Sequence, residues 1–255
     1  MHEGFSVIIP TLQRSPDLAR VVALCVGHPM VGEVLVINNA PEPLVFREPK
    51  VRVLQQERNI FVNPAWNLGA REARMPWLAI INDDVLFADE ALDEAARILR
   101  RGWFAMVGPD PSCFAGQGEF ARAVSHRPAT SLRLTFGTFM CLRASDYVPI
   151  PDDLLIWGGD DWLFWQQRRP NAILVHTRFS TDGSTTAGSP EFQRLRQLEH
   201  ETLVRHWPSF YGKRWWHRPA AAVEKLRWAR TAARQKLADR RSGSAGVEGA
   251  APGAP

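Results

Sequence analysis

The stretch that decides the fold is WLAIINDDVLF, residues 77–87, where an apolar run from Trp77 to Ile81 leads directly into Asn82, Asp83 and Asp84. A short apolar run of this kind reads as a buried strand. The crevice beyond the carboxyl ends of such strands is where open α/β sheets hold ligands. Outward from it the pattern repeats: FSVIIP (5–10), EVLVINNA (33–40) and VRVLQQ (51–56) read as three more buried strands. Helical patterns separate them, from Ser15 or Asp17 to about Val26 and from Asn63 through Ala73. Ser15 and Asn63 stand where caps belong, with Pro16 and Pro64 in the first turns. A helix over about Ala88 to Arg101 follows, and WFAMVGPD (103–110) returns to the sheet. Strands alternating with helices predict an α/β fold, a mostly parallel sheet with helices on both faces.

The second half is less regular. Residues 112–133 give no clean period and predict irregular structure or a hairpin. LTFGTFMCLRA (134–144) reads as a strand, Asp161–Arg169 as a short helix and AILVHT (172–177) as another strand. The polar run STDGSTTAGS (180–189) is long enough to suggest a ligand-covering loop. Helices are expected over Pro190–Trp207 and Pro219–Arg241, and the Gly- and Pro-rich run after Arg241 reads as disordered. The expected organisation is one domain over residues 1–212, a basic helical extension over 213–241 and a disordered tail over 242–255.

The chain has 255 residues, 45% of them hydrophobic, which suffices for one large α/β domain. Cys25, Cys113 and Cys141 are scattered among apolar neighbours, a pattern of reduced core thiols, and it points to a cytoplasmic protein. Neither a leader pattern nor an apolar run of spanning length is present in this sequence. The formal charge of +4 is uneven: Lys213 to Arg241 holds ten Lys or Arg against Glu224 and Asp239, so this segment carries +8 and the remainder −4. A basic helix of this kind is either a solvated helix packed on the domain or a contact with an anionic membrane surface, at the inner face of the membrane. Nucleic acid is the least supported partner, since no base-reading fold accompanies the charge.

Polar groups at the strand ends are the candidate site. A Gly-rich phosphate cradle is lacking after the first strand, which ends in Pro10-Thr11-Leu12-Gln13-Arg14. Arg14 is either a surface residue or an anion ligand. Asn38 and Asn39 either turn the chain before Pro41 or read a nucleobase edge. Of the acidic pair, Asp84 is favoured as the group aimed at a ligand, with Asp83 contacting a ribose or a metal-bound water; a hard cation such as Mg²⁺ or Mn²⁺ is bound by such carboxylates together with phosphate oxygens. A second pair, Asp160 and Asp161, follows Gly158-Gly159 among Trp157, Trp162 and Trp165. One acid there caps the next helix, and the other, desolvated beside indoles, gains the raised pKa of a general base. His176 on its apolar strand is either a hydrogen-bonded core histidine or a metal ligand.

Taken in order, these segments resemble glycosyltransferase family 2, the inverting GT-A type, over Phe5 to about Ser184. FSVIIPTLQR resembles the opening strand and Pro-Thr/Ser-x-x-Arg turn, and EVLVINNA the strand whose end reads the base. ERNIFVNPAWNLGAREA resembles the segment that carries Asn59, Asn67 and Gly69 at the matching places. INDDV resembles the Asp-x-Asp metal motif, WGGDDWLFWQQR the acceptor-site motif, and VHTRFSTDGST the late histidine and Ser-rich loop. Asn38 and Asn82 stand where the family usually has acids.

The resemblance implies a GT-A, Rossmann-like fold with C-terminal helices and a bacterial-type enzyme of polysaccharide biosynthesis. It implies a metal-dependent, inverting transfer of a sugar from a nucleotide-diphosphate donor to an acceptor hydroxyl on a glycan or lipid-linked glycan. It places a divalent cation (Mg²⁺ or Mn²⁺) on Asp84 and His176. It places the nucleotide on Pro10, Thr11, Arg14, Asn38, Asn39, Asn59, Asn67 and Asp83. The base falls on Asp161, with Asp160 orienting the acceptor. A non-catalytic nucleotide- or carbohydrate-binding relative is the alternative of another class, and a sugar-1-phosphate nucleotidyltransferase fits less well because it carries a Gly-rich loop after its first strand.

Overall fold

A computed structural model describes residues 3–114, 122–181 and 190–244. The first half runs β1 (Phe5–Thr11), α1 (Leu18–Gly27), β2 (Val31–Asn38), β3 (Val51–Gln55), α2 (Val62–Glu72), β4 (Trp77–Ile81), β5 (Val85–Phe87) and α3 (Glu90–Arg101). There follow β6 (Met106–Pro109), β7 (Ser125–Ala129), β8 (Phe139–Arg143), α4 (Gly159–Gln166), β9 (Asn171–Val175), β10 (Phe179–Thr181), α5 (Pro190–Phe210) and α6 (His217–Ser244). Eight strands form one sheet in the order β3-β2-β1-β4-β8-β6-β9-β7, and β5 pairs with β10 as a separate ribbon.

The first four strands are mutually parallel, with β1 at their centre paired to both β2 and β4. The sheet becomes mixed beyond β4: β8 is antiparallel to β4 and β6, β9 is parallel to β6, and β7 closes the edge antiparallel to β9. Alternate residues of the strands feed two cores, as the period of two requires. Phe5, Val7 and Ile9 of β1, Val34 and Val36 of β2 and Ala79 and Ile81 of β4 pack under α1 and α3. Ile8, Leu35, Ile37, Leu78 and Ile80 face α2, α4 and the residues where α5 meets α6. Each fully buried aliphatic side chain of this kind contributes about 1.5–3 kcal/mol relative to its exposed state. Gly102, at φ 78°, ends α3 in the left-handed conformation, its N–H donating to the Ile98 carbonyl.

Helix starts differ from the sequence reading. Asp17, not Ser15, sits at the N-cap position of α1; the Ser15 hydroxyl, two residues earlier, accepts from the Asp17 N–H. Asn63 does not cap α2, whose N-cap position is Phe61 at φ 68°, because the Asn63 amide reaches instead to the carbonyls of Leu154 and Trp157. The 134–144 run is strand only over Phe139–Arg143, with a 3₁₀ turn at Phe136–Thr138 before it. Residues 112–133 do contain a strand, β7, while residues 115–121 lie outside the described residues. Most of the polar 180–189 run also lies outside them.

Gly212, the residue after which a boundary is expected, lies at φ 76° in the turn between α5 and α6. Immediately beyond it, Trp216 is 2% exposed, stacks on Trp165 at 5.5 Å and donates its indole N–H to the Gln167 carbonyl. Residues 242–244 continue α6 beyond Arg241, and the rest of the tail lies outside the described residues. Among the described residues no helix is long and apolar enough to cross a membrane.

Candidate active site

Where β1, β2 and β4 end, a cleft of about 410 Å³ opens, within the size range of small-ligand sites. Pro10 and Thr11 at the end of β1, with Leu12 and Arg14 of the turn after it, form part of its wall. Arg14 is exposed and makes no ion pair among the described residues, so its guanidinium is available to an anion. Gln13, at φ 57°, bends the turn, and its N–H donates to the Thr11 hydroxyl. That hydroxyl in turn donates to Asp83 Oδ2 at 2.6 Å.

Asp83 and Asp84 both line the cleft. On a continuing strand they would diverge, but the chain has already turned: the Val85 N–H donates to the Asn82 carbonyl and the Asn82 N–H to Thr138. Burial, with Asp84 beside it, pushes Asp83 up to about 6 against the opposing Thr11 hydrogen bond. Asp84 is 9% exposed and accepts a hydrogen bond from the Thr181 hydroxyl of β10 at 2.7 Å. The antiparallel register of β10 with β5 sets Thr181 opposite Val85, next to Asp84 in sequence.

The second acidic pair is brought to the same cleft through Asp160, whose neighbours Ile156 and Trp157 also line it. Asp161 is not among the lining residues; it is half-buried and hydrogen-bonded with Trp165. The resemblance put the base at Asp161, whereas the helical start at Gly159 turns the two carboxylates in different directions. Burial raises both acids, and their mutual repulsion adds to the rise at Asp161. Asp160 Oδ1 accepts from the Asp161 N–H at 3.0 Å. Gly137 makes room for it: a Cβ there would come within 2.7 Å of Asp160 Oδ2.

The expected asparagines divide. Asn39 and Asn59 line the cleft, each also bracing the loop before α2: Asn39 accepts from the Ile60 N–H and Asn59 from the Phe61 N–H. Asn38 is fully buried outside the lining, donating to Gln55 Oε1 and the Glu42 carbonyl and accepting from the Ala40 N–H. It shapes the end of β2. Asn67 likewise faces away, tying α2 to Tyr147 and both backbone groups of Ile150. Gly69 permits α2 to lie against Ile8, since a Cβ would come 2.4 Å from that side chain. His176 follows β9 at φ 61°, with Nδ1 3.3 Å from the Ser125 hydroxyl, and is not among the cleft-lining residues.

The chemistry of Asp83 and Asp84 fits a hard divalent cation shared with a diphosphate. Each carboxylate has one oxygen fixed by a threonine hydroxyl, the two sit side by side at the cleft, and Asp83 is raised chiefly by burial, with the Asp84 charge adding to the rise. Mg²⁺-type sites use one or two carboxylates with substrate phosphates rather than a full protein cage. Among the described residues no cluster of three or more His, Cys, Asp or Glu occurs.

Several site residues escape a sequence reading. Phe61, Val62, Trp66, Leu134 and Ile156 make much of the wall apolar. Thr138 gave no motif, and Thr181 was legible only as one residue of the polar 180–189 run. Gly137 carried a readable signal, an isolated glycine in a strand-like run, which marks a close approach. Glu199 carried none. It is one acid in a charged helix, yet its carboxylate accepts from the Leu155, Ile156 and Trp157 N–H groups.

The sequence profile of glycosyl transferase family 2 matches residues 6–147. No curated protein gives a significant sequence match. Among solved structures, the chain is similar to S. aureus TarS residues 1–349, with 15% identity over 80% of this chain and 72% of that one at a TM-score of 0.52. It is similar to the same protein in complex with UDP-GlcNAc, with 14% identity over 80% of this chain and 73% of that one at 0.52. It is similar to GalNAc-T7 with UDP, GalNAc and Mn²⁺, with 13% identity and a TM-score of 0.57; 77% of this chain covers 48% of that one, about half its length. These likenesses are of fold, a central sheet flanked by helices with the GT-A arrangement.

Proposed function

The chain belongs to glycosyl transferase family 2 and is a glycosyltransferase, and we propose that it moves a sugar from a nucleoside-diphosphate donor to an acceptor hydroxyl with inversion. The carrying observation is one cleft lined by Asp83 and Asp84 from the β4–β5 turn and by Asp160 from α4. In this reading Arg14, Thr11 and Asn39 orient the nucleotide. Asp84 and Asp83 hold a divalent cation, which when bound supplies positive charge to the departing diphosphate. The acceptor oxygen forms its bond to the anomeric carbon as the bond to the diphosphate breaks. The diphosphate keeps that electron pair, and the hydroxyl proton passes to the carboxylate of Asp160. A carboxylate with a raised pKa is the stronger base, which suits Asp160, provided it is ionised at the working pH.

The apolar wall suits an acceptor with an apolar portion, such as a lipid-linked glycan: Leu134 is 97% exposed at the cleft, with Ile156 and Trp157 beside it. Contact with an anionic bilayer is supported by Trp215 and Trp228, 71% and 73% exposed among Lys213, Arg218, Lys225 and Arg230. Co-sedimentation with phosphatidylglycerol vesicles, lost in W215A/W228A, tests that contact.

The test of the main reading is a panel of nucleotide sugars beginning with UDP-GlcNAc, with Mn²⁺ or Mg²⁺ and alkyl glycoside acceptors, read as released nucleoside diphosphate. Release that requires the cation and disappears in D160N supports the reading. Release unaffected by D160N and abolished in D161N returns the base to Asp161, and no release from any donor overturns the reading.

A further inference from the structure

Glu199 lies in α5, which no motif of the donor or acceptor site includes. It is 3% exposed and has no ion-pair partner among the described residues. A buried carboxylate is costly unless its oxygens are hydrogen-bonded. Here three successive backbone donors satisfy it: Leu155 N at 3.1 Å, Ile156 N at 2.9 Å and Trp157 N at 2.6 Å. Converging N–H groups of this kind form an anion-binding nest, and charge-assisted bonds are about twice as strong as neutral ones.

The bonded loop is the one that matters to the cleft. Ile156 and Trp157 line it, and three residues beyond Trp157 stands Asp160. The carbonyls of the same loop are held from the other side by Asn63: its amide donates to Leu154 and Trp157, its backbone N–H to Leu155. Gly158, at φ 77°, then starts α4 against Leu203 of α5, where a Cβ would come within 2.9 Å. Arg196 of α5 lies over the Trp157 ring at 5.2 Å.

From this geometry we propose that Glu199 is a positioning residue for the acceptor side. Its carboxylate fixes the 155–157 backbone and thereby sets both the Trp157 wall and the approach of Asp160 to the acceptor hydroxyl. The proposal rests on the glycosyl-transfer reading for the identity of that hydroxyl, while the loop-fixing role stands on geometry alone. Gln at this position keeps the shape but exchanges one acceptor oxygen for an amide donor facing the N–H groups, so at least one of the three bonds is lost.

The experiment uses the full chain carrying E199Q, with E199D as the charge-retaining variant. Amide hydrogen exchange at residues 155–157 is expected to accelerate more than tenfold in E199Q while protection in β1 and β4 is unchanged. UDP binding with Mn²⁺, measured by calorimetry, is expected to stay within twofold. Transfer from the donor found in the panel is expected to lose tenfold or more in kcat with a raised acceptor KM, and E199D is expected to recover part of both the protection and the transfer. Unchanged exchange at 155–157, or a loss of UDP affinity as large as the loss of transfer, overturns the proposal. If the unsubstituted protein releases no nucleoside diphosphate from any donor, the glycosyl-transfer reading fails, and the exchange measurement still decides whether Glu199 holds the loop.

Discussion

The two sides of the cleft are built by different means. On the Asp83–Asp84 side, four parallel strands end together, and the acids sit where a buried strand breaks into a turn. On the Asp160 side, the carboxylate stands at the start of an eight-residue helix whose preceding loop is held by side chains from α2 and α5. The first arrangement is carried by sheet hydrogen bonds and an apolar core. The second depends on a few polar side chains bonding to backbone, so single substitutions at Asn63, Gly159 or Glu199 reach it directly. Rigid strand ends suit a donor and its cation, and a loop held at several points suits an acceptor surface that must be placed against them.

The largest effect that separates the sides is expected for Asp160→Asn. Transfer should fall by about 10²–10⁴, the range of general-base catalysis, with nucleotide binding retained. Asp161→Asn should cost less, since its carboxylate is not among those lining the cleft; a steady-state comparison of the two variants decides. Asp84→Ala should give the converse pattern, a loss in cation-dependent UDP affinity by calorimetry of at least the roughly 10–100-fold that follows loss of a metal ligand's hydrogen-bonding partner. Retained affinity would remove Asp84 from the cation site.

Gly159→Ala should act on the clamped loop alone. A Cβ there would lie 2.1 Å from Asn63 Oδ1, an overpacking expected to cost about 1–3 kcal/mol in thermal unfolding and to impair transfer more than UDP binding. Gly27→Ala at the end of α1, with nothing within 4 Å of the new methyl, is the control and should be neutral or stabilise by about 0.4–1 kcal/mol.

The smallest effect is on the pH dependence of stability. Burial raises the folded-state pKa of Asp161 above its ordinary 3.8, so over that interval the folded chain binds more protons than the unfolded one. Stability therefore falls as pH rises from near 3.8 through the raised value. Asp161→Asn should remove that part of the slope and raise the melting temperature near pH 7 relative to the unsubstituted chain. A melting temperature lowered at pH 7 would show that the charge is stabilised in the fold.

The sequence by itself determined the α/β class, the four parallel strands and the acids at the end of β4, because β1, β2 and β4 are buried and leave apolar runs whose closing polar residue stands out. The third strand, expected to be buried, is a half-buried edge strand, which is why Arg52 and Gln55 are tolerated in it. The family resemblance could be read from the same strand ends, where local order along the chain and position at the cleft coincide. What the sequence left open was which of several adjacent polar groups faces the ligand. Asn38 and Asn39, or Asp160 and Asp161, differ by one residue, and a turn or the first turn of a helix decides between them. Ser15 and Asn63 show the same limit: both are good capping types, yet the Asn63 amide bonds to a loop some ninety residues away. Only the tertiary structure could reveal Glu199 behind the site and the bond from Thr181 to Asp84, because hydrogen bonds between distant segments follow from packing and leave no period in the chain.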